Sequence, residues 1–154
     1  MKVHEIMSRK INVVSPKTTL PKLWELIFKK KIHAVPVVDN RQKLLGIIAE
    51  EDILKKLYPD YEDFVEDFVS AGDFEEMEER IHDLVDLCAD ELMSRKVIFT
   101  RTDTPILRAL SRMIVRNVHQ LPVLSEEGRV IGVISKGDIF DNLFTKHLRR
   151  SVKK

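Results

Sequence analysis

Apolar and polar positions along this chain form a pattern that is laid down twice. The run Ile11-Asn12-Val13-Val14 is rich in β-branched residues and predicts a strand, and Val97-Ile98-Phe99-Thr100 predicts its counterpart. A helical stripe follows each run. Leu20, Leu23, Trp24 and Ile27 share one helical face, and Ile106, Ala109, Leu110 and Met113 repeat the spacing. In the second copy Thr104 is placed as an N-cap, with Pro105 at the first helical position. Two strands come next. Ala34-Val35-Pro36-Val37-Val38 turns through Asp39-Asn40 into Leu44-Leu45-Gly46-Ile47-Ile48, and Leu121-Pro122-Val123-Leu124 turns at Gly128 into Val130-Ile131-Gly132-Val133-Ile134. These strands are apolar nearly throughout, so both of their faces should be covered. A last helix is expected to start near Glu50 and near Lys136.

The two copies hold one register. Glu5-Ile6-Met7-Ser8-Arg9-Lys10 recurs as Glu91-Leu92-Met93-Ser94-Arg95-Lys96, an offset of 86 residues. At that offset His33 meets His119, Pro36-Val37 meets Pro122-Val123, Gly46 meets Gly132, and Asp52-Ile53 meets Asp138-Ile139. Thirteen of the fifty positions from Glu5 to Leu54 are identical, and no gap is needed. The fold class is therefore α/β (α+β): two repeats, each strand-helix-strand-strand-helix, with a helical insert between them. One repeat is too small to bury its own faces well, so the two are expected to pair about a pseudo-twofold axis. The division is residues 1–57 for the first repeat, 58–90 for the insert, 91–145 for the second repeat and 146–154 for a tail.

The insert is acidic, with fourteen Asp or Glu and one Arg between Asp60 and Glu91, and the tail is basic from Lys146 to Lys154. Asp73 and Glu76 form a capping box, so a helix is expected from Phe74. Its stripe Phe74, Met77, Ile81, Leu84 and Cys88 has coiled-coil spacing over little more than two heptads. That stripe either packs on the protein's own body or forms a seam with a partner, and Cys88 reads as a core residue. Phe64, Val65, Phe68 and Val69 suggest a shorter helix before it. A single cysteine excludes a disulfide framework and fits a reducing compartment. The start of the chain has no apolar signal core, and the longest apolar run, Leu44 to Ala49, is far short of the ~18 residues of a membrane helix. A soluble, cytoplasmic protein is expected.

The residues His33 to Val37 and His119 to Val123 (His-x-x-Pro-Val), Gly46 to Ile53 and Gly132 to Ile139 (Gly-x-Ile-x-x-x-Asp-Ile), and the two Glu-x-Met-Ser-Arg-Lys openings carry a resemblance. Together they resemble the CBS (cystathionine β-synthase) domain family, paired as a Bateman module. The resemblance spans everything except the insert and the tail. It implies a regulatory module that binds adenosine-containing ligands (AMP, ADP, ATP, S-adenosylmethionine) in clefts between the copies. It also implies flat dimers.

Transferred onto this chain, the better cleft would use Ser135, Lys136, Gly137 and Asp138, walled by Lys10, Ile11, Val13, Ile32, His33 and Val35. An Asp carboxylate can accept from both ribose hydroxyls, and a helix N-terminus with a hydroxyl can hold phosphate. The other cleft would use Asp52 with Lys96, Val97, Phe99, Val118, His119 and Leu121. Here the chain departs from the family pattern. Ala49 replaces the Ser/Thr, and Glu50-Glu51 replaces Lys-Gly, which repels phosphate. This cleft is expected to be empty, weak, or selective for a ligand with little negative charge.

Other readings stand beside these. Ser135-x-x-Asp138 is also a capping box. His33 and His119 suggest a metal pair, but no Cys or carboxylate shares a ligand spacing with them, so no metal is assigned. The basic tail or the acidic insert offers a nucleic-acid or protein adaptor as the alternative function, though the tail lacks interleaved aromatics. No enzyme motif is present, and Cys88 with His82, six residues apart, falls on different sides of a helix. Apolar residues off the main stripes, among them Leu26, Phe28, Ile114, Val115, Ile139, Phe140, Leu143 and Phe144, point to burial against a second chain. A homodimer or an effector protein, and no membrane, completes the expectation.

Overall fold

The computed structural model describes residues 1–57 and 71–152. Its elements run α1 (Val3–Ile6), α2 (Leu20–Trp24, continued as a π-helical turn Glu25–Lys29), β1 (Ala34–Val38), β2 (Leu44–Ala49), α3 (Glu50–Leu57), α4 (Ala71–Leu84), α5 (Ala89–Leu92), β3 (Thr100–Arg101), α6 (Ile106–Arg116), β4 (Gln120–Leu124), β5 (Val130–Ser135) and α7 (Lys136–Val152). Each copy thus has the mixed α+β order that its sequence pattern predicts.

These elements form two compact units, and the units do not follow the repeats. Unit 1 gathers Met1–Asn12, Arg41–Leu44 and Ile98–Lys154; unit 2 gathers Val13–Asn40 and Leu45–Val97. The opening segment of each repeat therefore belongs to the unit built by the other. In unit 1 the sheet has the order β3-β4-β5. β3 runs parallel to β4 through Thr100↔Val123, and β5 runs antiparallel through Leu121↔Ile134. Its core joins Ile106, Ala109 and Met113 of α6 to Leu121, Ile134 and Ile139, and it is completed by Val3 and Met7 from the start of the chain. In unit 2, β1 pairs with β2, and Val14 bridges to Val37 in parallel. That core joins Leu20, Leu23 and Ile27 to Val35, Val37, Ile48 and Ile53, and it is completed by Ala89 and Leu92.

The repeated motifs are the two sides of this exchange. Ser8 and Val133 exchange backbone hydrogen bonds at 2.9 Å, and Ser94 and Ile47 do the same at 2.9 Å. Each bridge lays a Met-Ser pair across the glycine of the other repeat. A Cβ at Gly132 would stand 2.9 Å from Met7 Sδ and 3.0 Å from the Ser8 carbonyl. At Gly46 it would stand 2.5 Å from Met93 Sδ and 2.8 Å from the Ser94 carbonyl. The repeated glutamate has a local task. Glu5 accepts the Lys2 N–H, which holds its carboxyl below the usual range, and Glu91 accepts the Cys88 N–H at 2.9 Å, so each closes the first turn of a four-residue helix.

At two turns the copies share an unusual backbone conformation. Asn117, which ends α6, and Gly128 have positive φ of 52° and 82°. At the same register Lys31 and Gln42 have φ of 56° and 65°. The second copy places residues suited to the left-handed region there, whereas the first does not.

Several expectations are corrected. The strands expected over Ile11–Val14 and Val97–Thr100 shrink to the single bridge at Val14 and to Thr100–Arg101. The chain crosses from one unit to the other at Asn12–Val13 and Val97–Ile98, so the residues before those points have no ladder to join. Pro105 is the N-cap of α6, and the Thr104 hydroxyl accepts the Arg101 N–H at 3.4 Å instead of capping. Leu20, Leu23 and Ile27 are buried, but Trp24 is 53% exposed. Leu26 and Ile139, expected as surplus surface, are core residues; Ile114, Val115, Phe140 and Phe144 are exposed. The insert helix begins at Ala71, three residues before Phe74, and ends at Leu84, so Cys88 caps α5 rather than extending the stripe and is only half-buried. The helix expected at Phe64 to Val69 lies outside the described residues. Lys146 to Val152 form the last turns of α7, so the basic residues there are helical.

Replacing either motif glycine should be costly, because the opposing atoms include backbone. Gly46→Ala and Gly132→Ala are each expected to lower stability by about 1–3 kcal/mol, Gly46→Ala more, measured by thermal or urea denaturation. Gln42→Gly is expected to raise stability by about 1 kcal/mol in the same assay, by relieving the left-handed backbone of a residue with a Cβ.

Candidate functional site

The candidate residues sit where β5 runs into α7 and where β2 runs into α3. In unit 1 the Ser135 N–H donates to Asp138 Oδ2 at 3.0 Å, and the Asp138 N–H donates to Ser135 Oγ at 3.1 Å. This is a reciprocal capping box, so the structural reading of Ser135-x-x-Asp138 holds. It does not exhaust the carboxylate, whose two oxygens offer about four acceptor positions. Asn142 Nδ2 donates to the Asp138 carbonyl at 2.8 Å, and the Lys136 N–H donates to the His119 carbonyl at 3.0 Å. The first turn of α7 is thereby fixed to the head of β4. Gly137 is exposed, and a Cβ there would meet only Ser135 Oγ, at 3.7 Å. The fold itself makes no demand for glycine at this position.

In unit 2 the same turn is built with less. Asp52 Oδ2 accepts the Ala49 N–H at 2.7 Å, and Ala49 has no hydroxyl to return the bond. Burial pushes the Asp52 carboxyl above its ordinary value, against the Ala49 hydrogen bond and Lys55, and Glu51 adds to the rise. Glu50 and Glu51 are exposed beside it.

The other expected residues divide between the units. Lys10, Ile11, Phe99, Val118, His119 and Leu121 lie in unit 1; Val13, Ile32, His33, Val35, Lys96 and Val97 lie in unit 2. Lys10, Lys96, His33 and His119 are exposed, and Ile11, Val13, Ile32, Val97, Phe99 and Val118 are half-buried. Val35 and Leu121 are fully buried in the two cores. Their strand neighbours Ala34 and Gln120 are half-buried instead. In the apolar run from Ala34 to Val38 the sequence does not tell which of two adjacent residues turns inward.

The sequence reading missed two arginines around Phe99. The Arg101 guanidinium lies 5.2 Å from the centre of the Phe99 ring and donates to the Ser125 carbonyl, and Arg112 Nη1 donates to the Phe99 carbonyl at 2.6 Å. His33 and His119 join no group of three metal-ligating side chains among the described residues; Cys88, Asp90 and Glu91 do lie close together, around the cap of α5. No described helix is long and apolar enough to cross a membrane.

Comparison with known proteins agrees with this architecture. The sequence pattern of the CBS domain matches residues 3–59 and 89–145. The uncharacterised protein MJ1426 of Methanocaldococcus jannaschii is 33% identical, over 93% of this chain and 91% of that protein. A CBS domain-containing protein of Dictyostelium discoideum, DDB_G0289609, is 30% identical, over 92% of this chain and 90% of its own length. Among solved structures, CBSX2 of Arabidopsis thaliana in complex with AMP superposes with a TM-score of 0.72 at 22% identity, covering 95% of this chain and 98% of that one. The CBS domain pair of MJ0100, in complex with 5-methylthioadenosine and S-adenosyl-L-methionine, gives 0.69 at 23% identity, with 95% and 98% covered. The likeness to these two structures is one of fold. With both repeats matched and each motif placed at the exchange it serves, the chain belongs to the CBS domain family, as a pair of CBS domains.

Proposed function

We propose that this chain is a cytoplasmic regulatory module that senses an adenine nucleotide or a related adenosine ligand (AMP, ADP or ATP) and acts in trans, through a dimer or a partner protein. The observation that carries the reading is the turn Ser135-Lys136-Gly137-Asp138. It combines a fixed carboxylate, a serine hydroxyl, a lysine and a glycine that no packing constraint in the fold explains. An adenosine ligand fits that set: the carboxylate takes ribose hydroxyls, while Lys136 and the amides of the first turn of α7 take phosphate. Lys10 and Ile11, of the same unit, are assigned to the same ligand. The adenosine compounds bound by CBSX2 and by the MJ0100 pair support the ligand class.

The turn at Asp52 is assigned a weaker or less phosphate-tolerant site. A carboxyl that burial already disfavours as an anion, with Glu50 and Glu51 next to it, repels phosphate. Lys96 and Val97, of the same unit, are its assigned companions. Ligand binding would act by favouring one arrangement of the module over another.

Calorimetric titration of AMP, ADP, ATP and S-adenosylmethionine into the full chain tests this reading. At least one ligand is expected to bind in the micromolar range. Asp138→Ala should weaken it about ten- to a hundredfold, the loss of one or two charge-assisted hydrogen bonds, and Asp52→Ala should leave the tight site within about twofold. Absence of binding by all four ligands, with and without magnesium, would return Ser135 and Asp138 to the single role of a helix cap.

A further inference from the structure

The insert helix gives unit 2 a surface that the repeat alone does not have. α4 lies between the two matched stretches, 3–59 and 89–145, and packs against α3 of the first repeat. Together α2, α3 and α4 enclose an apolar groove of about 450 Å³. Phe28, Leu54 and Leu84 are among its walls, and at its mouth Trp24, Ile81 and Val85 are 53%, 47% and 37% exposed. Contiguous apolar surface with a polar rim marks a place of contact with another molecule.

The walls and the rim select that molecule. Small-molecule pockets set a few polar groups among apolar ones, and those groups orient the ligand. No charged or hydroxyl-bearing side chain lines this groove, so it accepts apolar side chains and leaves their orientation to the rim. A helix laid between helices meets that condition: its apolar stripe enters the groove and its polar flanks meet the edges. The edges are acidic. Glu50 and Glu51 precede Leu54 by one turn of α3, Glu78 precedes Ile81 by one turn of α4, and all three are exposed. Over α2 with its π-helical turn, α3 and α4, ten residues are acidic and five are basic. Of the basic ones, Lys22 is paired with Glu25 at 3.5 Å, and Lys55 interacts with the Asp52 carboxyl.

We propose that the groove of unit 2 is a docking site for a basic amphipathic helix of a partner protein, its apolar stripe in the groove and its lysines or arginines on the acidic rim. This is the chemistry of the partner through which the module acts; it rests on that trans-acting reading and not on the adenosine ligand.

Trp24 is the one tryptophan of the chain, so its fluorescence reports on the mouth of the groove. The full chain, without nucleotide, is titrated with a synthetic amphipathic helix of leucine and lysine. A saturable blue shift of the Trp24 emission is expected, and raising the salt should weaken the binding. The same peptide with glutamate in place of lysine should bind at least about tenfold more weakly. Ile81→Lys, which sets a cation at the mouth, should weaken binding of the lysine peptide at least about tenfold, with the helical circular dichroism unchanged. Phe144→Glu, in unit 1, should leave it within about twofold. No shift with either peptide, equal binding of the two, or indifference to Ile81→Lys overturns the proposal. So does a Trp24 emission that is already blue-shifted and moves to the red on dilution, for then a second copy of the chain occupies the groove. Peptide binding in a protein that takes no adenosine ligand by calorimetry overturns the nucleotide reading and leaves the docking site in place.

Discussion

Everything else in this chain depends on the exchange of its two opening segments. Neither unit has a complete core of its own repeat. Val3 and Met7 fill the space under α6 in unit 1, while Ala89 and Leu92 do the same under α2 in unit 2. The backbone bridges Ser8–Val133 and Ser94–Ile47 hold the segments in register, and the two motif glycines leave the space they occupy. Close packing leaves no slack in such an arrangement: a methyl group added at the glycine displaces a main chain that is itself hydrogen-bonded. The exchange also explains why both repeats keep the same opening. Each opening is fitted to the other repeat, so a change in one motif is felt in the partner motif and not in its own.

The exchange sets the edges of the site as well. β5 is held along one side by Ser8, and its last residue is opposite Gln120, so the turn into α7 leaves a fixed strand end. The capping box then fixes Ser135 and Asp138 against each other. A carboxylate held this way has little conformational freedom left to lose when it meets a ligand, which is what pre-organisation means for affinity. In unit 2 the corresponding turn has only half the cap, and its carboxyl carries a desolvation cost. The two turns share one pattern and differ in how completely the cap is made.

Much of this was legible in the sequence. The offset of 86 residues gave the repeat, the stripe Ile106, Ala109, Leu110 and Met113 gave the buried face of α6, and Ser135-x-x-Asp138 announced both a cap and a candidate site. What was not legible depends on contacts between residues far apart in the chain. Nothing local in Met7-Ser8 says that it lies across Gly132. The Val35 side chain could not be assigned to core or surface, because its neighbours Ala34, Pro36 and Val37 are also apolar. Trp24 sits at the right helical spacing for burial and is half exposed, because the face it joins is the open groove and not the core. Lys31 and Gln42 carry no turn signature, yet the backbone there is as left-handed as at Asn117 and Gly128.

The exchange has a consequence for the order in which the molecule is made. A ribosome delivers residues 13–97 as one stretch that contains all of unit 2, interrupted only by the turn Arg41–Leu44, which belongs to unit 1. Unit 2 can therefore close while synthesis continues, as domains generally do during translation. The first twelve residues cannot. Their partners, β5 and α6, emerge only after unit 2 has been delivered, so Val3 and Met7 must wait for them. A segment made before unit 2 is buried only after it, and its burial joins residues far apart in the chain.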